Sequence, residues 1–317
     1  MMDNFPKIPI GDWADDGLRW SRENISGLFD LLSAVMRWLM ELVTDVLLWP
    51  PALIALLVFG AIGWLVRSWT FGLSTMAFFA LIISMGQWDN AMLTLGLALV
   101  ATLVALIIAV PIGILAARNS TVSAIVKPVL DFMQTMPAFV YLIPAVMIFR
   151  VGVVPGLVAT VIFALPPGVR FTELGIRQVD AETVEAGHAF GATPRQILRR
   201  IQLPLALPTI MAGVNQVIML SLSMAVIAGL VGANGLGKEV VSAIATLDTP
   251  KGVEAGLGVV ILAIFLDRVT ASLGNPQDYP GSLVARLRAA RRPGPQPEPE
   301  STAEPLDTER GAMSGTA

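Results

Sequence analysis

Residues 229–240 read GLVGANGLGKEV, and within them Gly232 to Lys238 fit the pattern G-x-x-x-x-G-K. Glycines at that spacing let backbone N–H groups close around phosphate oxygens, and a terminal lysine neutralises their charge. The chemistry would be nucleotide binding. It also requires a buried strand before the loop and a Ser or Thr after the lysine to hold magnesium. Here Glu239 follows Lys238 and sets a carboxylate where phosphates would sit. The preceding residues, PTIMAGVNQVIMLSLSMAVIAGLV, carry no charge and run far past the length of a strand. The glycines therefore read as a tight turn leaving a helix, and any ATP chemistry belongs elsewhere.

No other residue set supplies catalysis. The chain has no cysteine and a single histidine, His188. Thiol nucleophiles, disulfides and multi-histidine metal sites are excluded, so no catalytic residue, metal or cofactor is expected in this chain. His188 reads as a polar interfacial residue. A net charge of −3 gives no footprint for nucleic acid.

The elements follow from where charge is missing. Of 317 residues only 14% are charged, against about 25% in a soluble domain. Between Phe71 and Ala117 the sole charge is Asp89, and none occurs from Ile201 to Gly237. About 20 apolar residues in helix cross a bilayer, so an all-α, polytopic membrane protein is expected. Seven spans are read at 50–66, 70–87, 91–117, 128–149, 153–169, 205–231 and 254–273. Pro137 and Pro144 predict that the fourth is bent or broken. The domain reading is 1–49 as an extracytoplasmic segment and 50–88 as two accessory spans. A core of the remaining spans occupies 90–274, and a basic, then Pro-rich disordered tail 275–317.

Residues 1 to about 20 read as polar and irregular. In the helix that follows, Ser26, Asp30, Ser33, Arg37, Glu41 and Thr44 form a narrow polar stripe. It reads as an amphipathic helix on the membrane surface, with packing against the bundle as the alternative. Arg37 and Glu41 stand one turn apart and can pair.

Basic residues set the orientation. One set of loops holds eight: Arg67, Arg118, Lys127, Arg170, Arg177, Arg195, Arg199 and Arg200. The opposite set holds three: Arg150, Lys238 and Lys251. The richer set is expected in the cytoplasm, with the N-terminus outside and the C-terminus inside.

The loop at 170–204 carries the clearest pattern. Val184 to Gly191 is helical in composition and ends at Gly191. Thr193-Pro194 starts a second short helix, and Leu203-Pro204 is read as its end. Glu185-Ala186-Gly187, Gly191, Ile201 and Leu203-Pro204 resemble, at their fixed spacing, the EAA motif of ABC importer permeases. Gly187 stands where that family usually has Ala. The flanking stretches DFMQTMPAFVYLIPAVMIF, VIFALPPGVRFTELGIRQV and QLPLALPTIMAGVNQ resemble the permeases of ProU-type osmoprotectant importers through about residues 50 to 274.

The resemblance implies a type-1, MetI-like core of five helices. It also implies an elbow that couples to a separate ATPase through Glu185, Ala186, Gly187, Gly191, Ile201, Leu203 and Pro204. ATP and magnesium would be bound by that partner. A second copy of the chain, an external substrate-binding protein and the lipid membrane complete the partners. The localisation implied is the bacterial inner membrane. The cargo implied is a quaternary amine or relative: glycine betaine, proline betaine, choline or proline. The alternatives are another small amino-acid-like substrate or a secondary transporter, although mid-span carboxylates are lacking.

Polar residues within apolar spans are the candidates for a route through the membrane: Gln134, Thr135 and Tyr141 in the fourth span, and Asn215, Gln216, Ser221 and Ser223 in the sixth. From the loop chemistry alone, Lys238→Ala should leave ATP hydrolysis by the assembled complex nearly unchanged. Its abolition, measured as phosphate release, would restore the phosphate-loop reading.

Overall fold

The computed structural model describes residues 9–274 and Ser282. The reading of 275–317 as a tail lies outside them, Ser282 apart. Every element among them is helical: α1 (Ile10–Asn24), α2 (Ser26–Leu48), α3 (Ala52–Val66), α4 (Trp69–Ser84), α5 (Trp88–Arg118), α6 (Ser120–Thr135), a 3₁₀ turn at Ala138–Tyr141, α7 (Leu142–Phe149), α8 (Val153–Arg177), α9 (Ala181–Ala189), α10 (Pro194–Ile197), a π turn at Leu198–Gln202, α11 (Leu203–Ile227), a 3₁₀ turn at Ala228–Val231, α12 (Leu236–Thr246) and α13 (Thr249–Gly274).

Four stretches are long and apolar enough to cross a membrane: α5, α8, the continuous run Pro194–Val231, and α13. Two bent pairs reach the same length, α2 with α3 at 98° and α6 with α7 at 106°. The break expected in the fourth span thus falls at Met136-Pro137. The first two expected spans are α3 and α4, of 15 and 16 residues. At 1.5 Å per residue each is about 23 Å long, short of a 30 Å hydrocarbon core.

Bundle packing rests on small residues. A Cβ on Gly113 would lie 2.6 Å from Thr172, one on Gly168 2.8 Å from Ala109, and one on Gly213 2.5 Å from Phe171. These absences let α5, α8 and α11 approach closely, which is the main route to helix association in lipid. The α3–α4 hairpin docks through a ring cluster of Phe59, Phe79, Trp88 and Phe265, with Phe59 and Phe79 stacked at 4.7 Å and Phe265 edge-on to both.

Four expectations change. Residues 10–24 are helical, steadied by an Asp15–Arg19 pair one turn apart at 2.7 Å. The following helix, α2, lies against the bundle and not only on the surface: Met36, Met40 and Thr44 are buried, and Thr44 fills the space over Gly96. Arg37 and Glu41 form no ion pair. The fifth span does not stop at 169, because Pro166 and Pro167 are carried within α8, which continues to Arg177.

The Gly-rich stretch is also more than a turn. Gly232 closes the preceding turn at φ +88°, and Leu236 opens α12. The backbone N–H of Leu236 donates to the Thr94 hydroxyl at 2.8 Å, and Leu236 is 0% exposed. The donor that a phosphate would need is already taken. A Cβ on Gly237 would meet Val226 backbone atoms at 2.5 Å and 2.6 Å, whereas one on Gly256 would meet nothing within 4 Å. Gly237→Ala should therefore lower the thermal stability of the purified protein by about 1–3 kcal/mol, while Gly256→Ala should not lower it.

Candidate functional site

The elbow is built by local rules. Asp180 caps α9, accepting from the Glu182 N–H at 3.2 Å. At the other end Gly191 has φ +76°. Its N–H donates to the His188 carbonyl, and that of Ala192 donates to Gly187. This paired closure with a left-handed residue is a Schellman end. Thr193 then caps α10 in a reciprocal box with Gln196, and Pro194 takes the first helical position.

The second short helix does not end at Leu203-Pro204. Leu203 donates to the Leu198 carbonyl across a π turn, and the helix runs on into α11. Pro204 has no N–H to give, and the wider turn absorbs that loss without breaking the helix. The excursion between α8 and the α10–α11 run is thus shorter than 170–204.

Each motif residue now has a place. Glu185 and Ala186 are exposed on α9, and Gly187 is half-buried. A Cβ on Gly187 would lie 2.7 Å from Ile201 Cδ1, so Ile201 packs over the bare backbone there. Leu203 joins Ile176, Leu198 and Ala206 in a small core beneath the elbow. Gly191 and Pro204 are exposed. A cleft of about 410 Å³ opens between α9, α10 and the ends of α5 and α8, lined in part by Arg118, Arg177, Glu185 and His188.

Two features escape a reading by motif. Phe190 stands at the bend 92% exposed, an aromatic ring with no ring partner among the described residues. Beneath, Glu173 is 7% exposed and gathers three donors. Ser123 Oγ donates to it at 2.7 Å, Arg177 Nε lies at 2.8 Å, and Lys127 Nζ at 3.4 Å. Arg177 also donates to the Ala116 carbonyl at 2.8 Å. This carboxylate ties α5, α6 and α8 together at the elbow's base. The four-residue spacing of Glu173 and Arg177 was the available signal.

The polar candidates divide. Gln216 and Ser223, two turns apart, share an exposed face of α11. Gln134 and Thr135 are exposed at the end of α6. Tyr141 is buried, its hydroxyl donates to the Met133 carbonyl across the broken span, and its ring packs edge-on to Phe163 at 6.1 Å. It also shares a core cluster with Met224 of α11. Ser221 is 0% exposed inside the bundle. Asn215 is committed to α13: its amide donates to Asp267 at 3.0 Å, and its oxygen accepts from Thr270.

The fold defines a class. It matches the MetNI methionine ABC transporter in an inward-facing conformation with a TM-score of 0.54 at 23% identity, over 58% of this chain and 92% of that one. The architecture is that of a type-1 permease, a multi-pass membrane protein. Residues 109–274 match the family described as binding-protein-dependent transport system inner membrane component, and the chain belongs to that family. It is 47% identical to the glycine betaine transport system permease protein OpuAB of Bacillus subtilis, over 86% of this chain and 96% of that protein. It is 45% identical to the glycine betaine/proline betaine permease protein ProW of Escherichia coli, over 87% of this chain and 78% of that protein.

Asn215→Leu should destabilise the purified protein by about 1–3 kcal/mol, since it removes both side-chain hydrogen bonds that join α11 to Asp267 and Thr270 of α13. Gln216→Leu should stay within about 0.5 kcal/mol of wild type. Thermal unfolding of the two variants checks the division.

Proposed function

We propose that the chain is the translocation subunit of an ATP-driven importer for glycine betaine and related quaternary amines. In this reading two copies form the path. A separate ATPase binds ATP and magnesium, and an external binding protein delivers the cargo. The observation that carries it is the elbow, where an exposed Glu185–Ala186 face and the Phe190 ring project beyond a pinned base. A projecting aromatic beside a carboxylate suits a groove on another protein better than it suits water. The names of the two relatives support glycine betaine as the first cargo to test.

The loop charge bias supports an elbow in the cytoplasm and an N-terminus outside. The exposed polar face of α11, with Gln216 and Ser223, is the surface we assign to the path between two copies. Asn215, Tyr141 and Ser221 act within one subunit and shape that surface indirectly.

The test is uptake of labelled glycine betaine into vesicles holding the full complex, with choline and proline as competitors. Gly191→Val should lose more uptake than Gly191→Ala, because a β-branched residue is the more strained at positive φ. Phe190→Ala should keep insertion and dimerisation but lose ATPase binding or stimulation by loaded binding protein. Normal coupled uptake from both Phe190→Ala and Gly191→Val would remove the elbow from the mechanism. A cysteine at Thr193 should resist impermeant thiol reagents applied outside, and one at Asn234 should react; the reverse pattern inverts the topology.

A further inference from the structure

Three helices unconnected with the elbow converge on a second cleft of about 420 Å³. Each contributes one guanidinium: Arg22 from α1, Arg37 from α2, and Arg150 from the end of α7. Ser26 and Ser33 add hydroxyl groups, and Asp30 is the one carboxylate in the lining. Three positive charges against one negative leave the cleft at about +2. None of the three guanidinium groups has an ion pair or hydrogen bond among the described residues, although Arg19 one turn before Arg22 is paired with Asp15. Arg150 holds its place with φ +66°, a conformation that a non-glycine residue seldom adopts.

The surroundings say what kind of anion reaches this cleft. Around α2 run three faces. Met36, Met40 and Thr44 face the bundle. Asp30, Arg37 and Glu41 form an exposed polar strip. Leu28, Leu31, Val35, Trp38, Leu42 and Val46 form an exposed apolar stripe at helical spacing. An apolar stripe beside a charged strip belongs at the level where acyl chains meet headgroups. Trp13, Trp20 and Trp38 are all exposed, and exposed tryptophans mark the same level.

We propose that this cleft seats the phosphodiester of an anionic membrane phospholipid. The guanidinium groups bind the phosphate oxygens with charge-assisted hydrogen bonds, and an acyl chain lies along the apolar stripe of α2. The net positive charge disfavours a lipid whose headgroup carries a quaternary ammonium. The lipid thereby ties α1 and α2 to the end of α7.

The test uses the full-length protein and native mass spectrometry, with phosphatidylglycerol, phosphatidylcholine of the same chains, and inorganic phosphate as probes. Wild type should retain phosphatidylglycerol in preference to phosphatidylcholine. The double variant Arg37→Gln, Arg150→Gln should lower retention at least about tenfold, since each charged hydrogen bond carries about that factor or more. Asp30→Asn should raise retention, a gain that misfolding cannot produce. Arg19→Gln, outside the cleft, should change nothing. Equal retention of the two lipids, or undiminished retention by the double variant, overturns the proposal. Stabilisation by inorganic phosphate equal to that by phosphatidylglycerol would reassign the cleft to a soluble anion. Normal lipid retention with lost response to binding protein would reassign it to a protein carboxylate.

Discussion

A backbone amide or carbonyl left unpaired in hydrocarbon costs several kcal/mol, and three breaks in the described helices answer to that constraint. Helices meet it by themselves; breaks do not. Where the fourth span breaks at Met136-Pro137, the Tyr141 hydroxyl reaches back to the Met133 carbonyl. Where α12 begins behind a glycine that cannot cap, Thr94 reaches across from α5. At Pro204 the π turn redistributes the bonds around a missing donor. Side chains that looked available for a substrate are in several cases occupied with this task.

The same logic governs charge. Glu173 is the buried carboxylate that holds the base of the elbow, and it is tolerable there because three donors surround it. A buried acid with fewer partners would be a liability. The arrangement ties α5, α6 and α8 together at the point from which α9 leaves the bundle. The Schellman end and the capping box do likewise at the bend. They leave the outer face of α9 and the Phe190 ring exposed.

Much of this was legible in the sequence. Long apolar stretches gave the four long helices of the bundle, and glycine and proline spacing gave the elbow, because caps and turns are local chemistry. Illegible were the features that depend on distant residues. Nothing near Pro166-Pro167 or Leu203-Pro204 tells that the helix passes through them, since a neighbouring turn or helix absorbs the lost bond. Asn215 looked like a path residue until Asp267 and Thr270, more than fifty positions away, appeared beside it. Residues 10–20 looked irregular because the helix they belong to leans on α2 and α7. In the phosphate-loop case the letters misled in the opposite direction. The glycines are required, but by the backbone of α11 against which Gly237 is pressed.

The π turn at Leu198–Gln202 also fixes a rotational phase. One residue more or less in a helix turns everything beyond it by about 100°. The direction in which α9 and α10 face, relative to the polar side of α11, is therefore counted out in residues as well as held by Ile201 against Gly187 and by Leu198 in its small core. A single insertion or deletion within 198–202 would turn the elbow against the span and draw Leu198 or Ile201 out of the contacts they make beneath it. Length at this junction is as much a specification as side-chain identity.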